Sequence, residues 1–304
     1  METQKKRAVV TGGAGFIGSH LVDALVEAEF SVDIIDNLSG GKMERINPRA
    51  TFHKKDIRNY EDIAPIIKGA HAVFHLAALP RVQYSIDEPR ETNEINAGGT
   101  LNVLHAAHVG RVGRVVYSAS SSVYGDSPTL PLHEELPARP VSPYGLQKYI
   151  GEEYARIYSN IHGLQTVSLR YFNVYGSRMD PDGAYALVIG KFLKMRAMGK
   201  ALTITGDGEQ TRDFTHIKDV VRANILAIES NNVGNGECIN IGAGRRISMN
   251  TLAQMLGGPI EYIPARKESL HTLADNQKAK KLLNWEPEIH IEEGIAMLRK
   301  EWGV

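Results

Sequence analysis

The stretch Thr11-Gly12-Gly13-Ala14-Gly15-Phe16-Ile17-Gly18 constrains this chain more than any other. It follows the β-branched run 8–11 and opens an amphipathic run over 16–27. Between a strand and a helix, such glycines permit a tight turn, close approach of the backbone to a pyrophosphate, and helix-on-strand packing. The pyrophosphate then faces the free N–H groups at the positive end of the helix. Asp36 closes the next β-branched run, 31–36. A carboxylate there accepts from adenosine ribose hydroxyls and repels a 2′-phosphate. Gly12, Gly15, Gly18 and Asp36 therefore predict an NAD site.

The rest of the first half keeps this rhythm. Strands are expected over 72–76, 114–118 and 166–170, and helices over 93–108 and 143–159. Strands alternating with helices imply an α/β fold, a Rossmann-type doubly wound parallel sheet. After Tyr171 loops rich in Gly, Asp and Pro appear over 175–185, 206–209 and 231–236. The expected division is an NAD-binding domain over 1–170, rejoined by about 212–242, and a smaller C-terminal α/β substrate-binding lobe over 171–304.

Composition narrows the partners. Thirty-five basic and 35 acidic side chains cancel in 304 residues, which speaks against nucleic acid or an anionic membrane as the main partner. An apolar share of 42% supports a substantial core. The basic start runs into the first strand without an apolar stretch of signal-peptide length, and no run is long enough for a membrane span. With one cysteine, Cys238, no intrachain disulfide or CxxC knuckle is possible, and a cytoplasmic setting is expected. The eleven histidines are scattered, and no metal site is expected.

The most chemical segment is Ser142-Pro143-Tyr144-Gly145-Leu146-Gln147-Lys148. Ser142 suits a helix N-cap and Pro143 the first helical position. Tyr144 and Lys148 then share a face one turn apart. A free phenol, with a pKa of about 10, is too weak a base at neutral pH. A nearby ammonium, a cationic nicotinamide and the helix N-terminus all favour the phenolate, and about 4 kcal/mol of such help brings it near neutrality. Upstream, Tyr117-Ser118-Ala119-Ser120-Ser121-Ser122-Val123-Tyr124-Gly125 ends a strand where α/β sheets place ligands.

Together these residues resemble the extended short-chain dehydrogenase/reductase family, especially its nucleotide-sugar 4-epimerases. Further marks are Asp56-Ile57, His75-Leu76-Ala77-Ala78, Tyr171-Phe172-Asn173-Val174-Tyr175-Gly176, Arg212-Asp213-Phe214, and Ala274-Asp275 through Trp285-Glu286-Pro287. The resemblance covers nearly the whole chain. It implies that Ser120, Tyr144 and Lys148 are catalytic. It also implies NAD contacts from Phe16, Ile17, Asn37, Asp56, Ile57, Leu76, Ala77, Ala78, Asn96, Ser118, Tyr171 and Val174. Substrate contacts are implied for Asn173, Leu187, Val188, Thr203, Thr205 and Thr272, with Arg212 and Arg266 clamping a diphosphate. Guanidinium forks suit that last task. The helices over 93–108 and 143–159 resemble those that pair in family dimers, so a homodimer is expected.

Dehydratases and decarboxylases of the family place an acid just before Val-Tyr-Gly, for elimination chemistry. Ser121 and Ser122 stand at those places here. Oxidation followed by reduction, hence 4-epimerisation of a UDP-sugar, is the expected reaction. Thr272 falls where the family's pocket-size residue sits, and its small side chain implies UDP-GlcNAc/UDP-GalNAc as substrates beside UDP-Glc/UDP-Gal. Asp180-Pro181-Asp182-Gly183-Ala184-Tyr185-Ala186 resembles the same group. One departure is the run Lys267-Glu268-Ser269-Leu270-His271 after Arg266, where relatives carry a Gly-Asp that contacts the nucleotide ribose. The alternatives are a 4,6-dehydratase, an enzyme acting on UDP-glucuronate, and a non-catalytic NAD-binding sensor or scaffold.

Overall fold

The computed structural model describes residues 5–181, 188–265 and 271–304. In chain order the first half contains β1 (Arg7–Thr11), α1 (Phe16–Glu27), β2 (Ser31–Asp36), β3 (Thr51–Lys54), α2 (Tyr60–Ile67), β4 (Ala72–His75), α3 (Val82–Asp87), α4 (Pro89–Asn93), α5 (Thr100–Val109), β5 (Arg114–Ser120), α6 (Pro143–His162) and β6 (Thr166–Tyr171). The second half adds β7 (Val174–Tyr175), α7 (Val188–Ala197), β8 (Leu202–Thr205), β9 (Thr211–Arg212), β10 (Thr215–His216), α8 (Ile217–Glu229) and β11 (Asn235–Ile241). β12 (Ile247–Ser248), α9 (Met249–Leu256), β13 (Ile260–Ile263), α10 (Gln277–Leu283) and α11 (Ile291–Trp302) follow.

Seven of these strands form one parallel sheet in the order β11-β6-β5-β4-β1-β2-β3. The strand order reverses between β1 and β4, the place where such sheets open a ligand crevice beyond their carboxyl ends. Register carries the candidate residues to that edge. Thr11 pairs with Ile35 and His75, and Ser120 pairs with Tyr171.

The two faces are covered because side chains alternate along each strand. Val10, Ile34 and Phe74 pack with Leu21, Val22 and Leu25 of α1 and with Val220 and Ala223 of α8. Val9, Ile35, Val73 and Val115 pack with Ile63 and Ile67 of α2, Val103 and Leu104 of α5, and Ala155 of α6. Each fully buried aliphatic side chain contributes about 1.5–3 kcal/mol. A third core joins Phe192 and Leu193 of α7 to Leu202, Ile204, Leu252, Leu256, Ile295 and Leu298. Trp285 is fully buried and donates its indole N–H to the Asp219 carbonyl at 2.9 Å, which ties the late chain to α8.

Two elements differ from the sequence reading. The helix expected over 93–108 begins at Pro89 and passes through a π turn at Glu94–Gly99 before α5. Tertiary packing sets that geometry: a Cβ on Gly99 would lie 2.5 Å from the Ile57 side chain. The loop expected over 231–236 ends early, because β11 starts at Asn235 and adds to β6. Its first four residues, Asn-Gly-Glu-Cys, carry no apolar run, and the register shifts between Asn235 and Glu237. Among the described residues, no helix is long and apolar enough to cross a membrane.

Candidate active site

The glycine loop is shaped by contacts that only glycine permits. Gly12 has a φ of +73°, and a Cβ there would lie 2.7 Å from the Ala77 nitrogen. A Cβ on Gly18 would lie 2.1 Å from the Gly12 carbonyl oxygen. Gly15 donates to that carbonyl at 3.0 Å and serves as the N-cap of α1, with no side chain capping the helix. Uncapped first-turn N–H groups at the switch point fit a dinucleotide diphosphate. Phe16 and Ile17 open the helix. The loop after β4 closes the other wall: Leu76 donates to the Thr11 carbonyl at 3.1 Å and Ala77 to Thr11 Oγ1 at 3.2 Å, with Ala78 next in chain.

Asp36 ends β2 buried at 7% exposure. Its carboxylate accepts from the Ala14 N–H at 3.0 Å and the Leu38 N–H at 2.8 Å. Burial pushes its pKa up, and those two N–H donors oppose that. Asn37 reaches Asp56 at 2.9 Å. Arg58 chelates Asp56 at 3.0 and 2.8 Å and, with Asn37, holds its pKa at about 2. Asp56 is thus already engaged by a guanidinium. Ile57 is buried against the π turn.

At the head of α6, Ser142 Oγ accepts the Gly145 N–H at 3.1 Å and Pro143 occupies the first turn. The Tyr144 N–H, one of the helix's orphan donors, is satisfied by Ser85 Oγ of α3 at 3.0 Å. Lys148 is buried and donates from Nζ to the Ser118 carbonyl at 2.7 Å, with the Tyr117 ring 5.1 Å away. Ser120 Oγ accepts from the Ser122 N–H at 3.2 Å and Ser122 Oγ at 2.9 Å, and it is the polar neighbour that lowers the Tyr144 phenol's pKa. Ser120, Tyr144 and Lys148 therefore meet where β5 ends and α6 begins.

Burial governs the titration of both reactive groups. Burial pushes the Tyr144 phenol up to about 12, opposed only by the neighbouring Ser120 hydroxyl. Burial also brings Lys148 down to about 8, with Glu152 opposing. Desolvation is the largest influence on both groups, and the Lys148 ammonium is bonded to the Ser118 carbonyl. The protein's own groups hold Tyr144 as a neutral phenol.

Three of the expected substrate residues, Asn173, Arg212 and Thr272, gather at Asp213. Asn173, at φ +25°, donates to the Asp213 carbonyl at 3.0 Å and to Thr272 Oγ1 at 3.4 Å. The Asp213 carboxylate accepts from Ala243, Gly244 and Ala274 N–H groups at 2.8, 3.0 and 2.9 Å, while burial pushes its pKa up to about 6. Arg212 lies on β9, half-buried, with one guanidinium bond to the Thr211 carbonyl at 3.0 Å. Tyr171 donates to Asn224 at 2.9 Å, and Val174 is buried in β7. Val188 opens α7, and Thr203 and Thr205 lie on β8 against β13, with Thr203 Oγ1 3.8 Å from Met195 Sδ. Leu187, Arg266 and the segments 182–186 and 267–270 lie outside the described residues.

Asn96 is 1% exposed, and its amide joins the Leu79 backbone to Gln147. Neither Gln147 nor Ser85 was singled out from sequence, since their partners are 51 and 59 positions away. Among the described residues no group of three or more His, Cys, Asp or Glu could hold a metal ion.

Comparison with known proteins gives a consistent picture. Residues 8–242 match the model of the NAD dependent epimerase/dehydratase family. A putative UDP-glucose 4-epimerase of Methanocaldococcus jannaschii is 40% identical over 296 residues, covering 94% of this chain and 95% of that protein. The UDP-glucose 4-epimerase of Thermotoga maritima, solved with UDP-glucose, is 38% identical with a TM-score of 0.91, over 97% of this chain and 99% of that one. The UDP-N-acetylglucosamine 4-epimerase of Methanobrevibacter ruminantium, solved with UDP-N-acetylmuramic acid, is 37% identical with a TM-score of 0.91, over 98% and 100%.

Proposed function

The chain belongs to the NAD-dependent epimerase/dehydratase family, and on that premise we propose that it inverts C4 of UDP-hexoses, N-acetylated ones included. It is an isomerase of the UDP-sugar 4-epimerase group with NAD as cofactor. The observation that carries the finer reading is the buried Lys148, anchored to the Ser118 carbonyl at 2.7 Å one helical turn from Tyr144, with Ser120 two residues beyond Ser118 at the end of β5. Beyond Ser120 stand two further serines, not the acid that elimination needs.

When bound, NAD supplies a hydride acceptor for C4, a hydride donor for the return, and a positive ring charge that favours the phenolate. Tyr144 Oη takes the proton from the sugar O4 and gives it back after inversion. Ser120 Oγ holds that oxygen, itself oriented by the two bonds from Ser122. Lys148 is fixed by Ser118 and supplies cationic charge at the foot of the site. The 4-keto sugar is presented to hydride by its other face after turning about the diphosphate, which Arg212 and Arg266 hold in this reading. Asn173 and Thr272 form the sugar-side wall, and the small Thr272 leaves room for an N-acetyl group. A homodimer through α5 and α6 belongs to the same reading, supported by exposed Val109, Leu146, Ile157 and Ile161 on those helices. The cytoplasm is the compartment that goes with it.

The test is to incubate purified protein separately with UDP-GlcNAc, UDP-Gal and UDP-glucuronate and read products by proton NMR. C4-inverted products from the first two are expected. A 4-keto-6-deoxy sugar, loss of carbon dioxide from the uronate, or no product at all would overturn the reading.

A further inference from the structure

A buried hydrogen-bond chain joins the glycine loop to the helix that carries Tyr144 and Lys148. It starts where Ala77, whose backbone a Cβ on Gly12 would strike, donates its N–H to Thr11 Oγ1. Thr11 Oγ1 lies 2.7 Å from His75 Nδ1, and His75 Nε2 lies 2.8 Å from Thr100 Oγ1. Thr100 Oγ1 donates to the Asn96 carbonyl at 2.6 Å, within the π turn. The Asn96 amide then donates to Gln147 Oε1 at 2.8 Å, while its carbonyl accepts from the Leu79 N–H at 2.7 Å. Gln147 Nε2 donates to Thr92 Oγ1 at 3.0 Å, and Thr92 donates to the Glu88 and Pro89 carbonyls. All six side chains, from Thr11 through Gln147, are buried, the most exposed at 3%.

Donor and acceptor counting fixes the imidazole. The Thr100 proton is engaged by the Asn96 carbonyl, so Thr100 Oγ1 must accept from His75 Nε2–H. His75 Nδ1 is then a bare acceptor for the Thr11 hydroxyl, whose oxygen already accepts from Ala77. Only the neutral Nε2–H tautomer satisfies every atom. The surroundings agree: burial, with the Lys148 charge adding to it, brings His75 down to about 3, and its ring neighbour is the Tyr117 phenol at 5.6 Å.

We propose that Gln147, Asn96, Thr100 and His75 form a positioning network that sets the Tyr144–Lys148 turn against the glycine loop, with His75 held as the neutral Nε2–H tautomer. The proposal deepens the epimerase reading and rests on it for its kinetic consequences. Gln147 sits between the two reactive residues in sequence and is the one of the three turned to the π turn. An apolar contact there would bury area without directional preference, whereas a chain of satisfied hydrogen bonds has one low-energy geometry. Tyr144 would have to reach O4 while the glycine loop holds the dinucleotide against C4, so helix and loop need a fixed separation, and a misplacement of about 1 Å can cost about 100-fold in rate.

The test uses the NAD-loaded protein and two near-isosteric variants, Gln147→Met and Thr100→Val. NAD content, the melting curve, KM, kcat and the pH profile of kcat are measured for each. Nitrogen-15 spectra of the imidazoles are recorded for the wild type. The expected result is NAD content and KM within about twofold of wild type, kcat lower by about tenfold or more, and the acid limb of the pH profile moved upward. His75 is expected as the neutral Nε2–H tautomer from pH 5 to 9. Folded, NAD-loaded variants with unchanged kcat and pH profile would overturn the proposal, as would activity loss that only tracks NAD loss. An Nδ1–H or charged His75 in the wild type overturns it even where a variant does not fold. An inert wild type with the expected tautomer would count against the epimerase reading and not against the network.

Discussion

Asn173 and Thr272, 99 positions apart, meet side chain to side chain at 3.4 Å, and the same Thr272 oxygen accepts the Asp213 N–H at 3.2 Å. The backbone of Asp213 therefore stands between two residues that the resemblance to nucleotide-sugar epimerases assigns to the substrate. The Asp213 carboxylate, bonded to Ala243, Gly244 and Ala274, holds the surrounding segments together.

Replacing Thr272 with Tyr places a large ring at this junction. Conversion of UDP-GlcNAc is expected to fall by about tenfold or more relative to UDP-Glc, because extra bulk in a closed pocket discriminates by size. The ratio of kcat/KM for the two sugars measures it. An unchanged ratio removes Thr272 from the sugar pocket.

Tyr144→Phe removes one oxygen from a buried side chain at the head of α6. Loss of a proton-transferring group costs about 100- to 10,000-fold. Epimerisation should fall by at least that lower bound, while NAD content and melting temperature stay near wild type. Retained turnover in this variant would show that another group moves the proton.

Asp36→Ala deletes the acceptor for the Ala14 and Leu38 N–H groups. Hydrogen bonds to a charged group contribute about 1.5–3 kcal/mol each, and the glycine loop loses one of its two ties to β2, keeping the Gly12 N–H bond to the Ile35 carbonyl at 2.8 Å. NAD affinity should drop by about tenfold or more, without a gain in NADP affinity. Titration of NAD-stripped protein with each dinucleotide checks both statements.

His216 caps α8, its Nδ1 accepting the Lys218 N–H at 3.3 Å, and burial lowers its pKa to about 4. The unfolded chain binds this proton near pH 6.5, the folded one only near 4, so the contribution is complete above 6.5 and is lost as pH falls toward 4. His216→Asn keeps a capping side chain and removes the titration. Relative to wild type it should gain about 2 kcal/mol between pH 7.5 and 4.5, a figure reduced for partial solvation. Urea melts at both pH values measure it, and a constant difference would show that His216 does not couple to unfolding.

The strand–glycine–helix unit and the Ser142-to-Lys148 turn were legible because their determinants are contiguous. Gly12 and Gly18 are required by backbone atoms within a few residues or one strand over. The Ser142 cap and Pro143 act on the turn they open. β11 was not legible as a sheet strand: its first four residues are polar or small, and pairing with β6 supplies what its pattern does not. The π turn escaped for a similar reason, since it is seated by Ile57, some forty positions upstream of Gly99.

By itself the sequence determined the fold class, the place of the dinucleotide loop, and where in the chain the serine-rich strand end and the Tyr144–Lys148 turn lie. Those are matters of local conformation and residue chemistry. Only the tertiary structure decided their electrostatic state and their mutual distance. The pKa of about 12 for Tyr144 and of about 8 for Lys148 come from burial under segments folded over them, which no window around either residue contains. The chain from Thr11 through His75 and Asn96 to Gln147 likewise exists only once four distant segments are packed, because a buried polar atom is satisfied by whatever the fold brings to it.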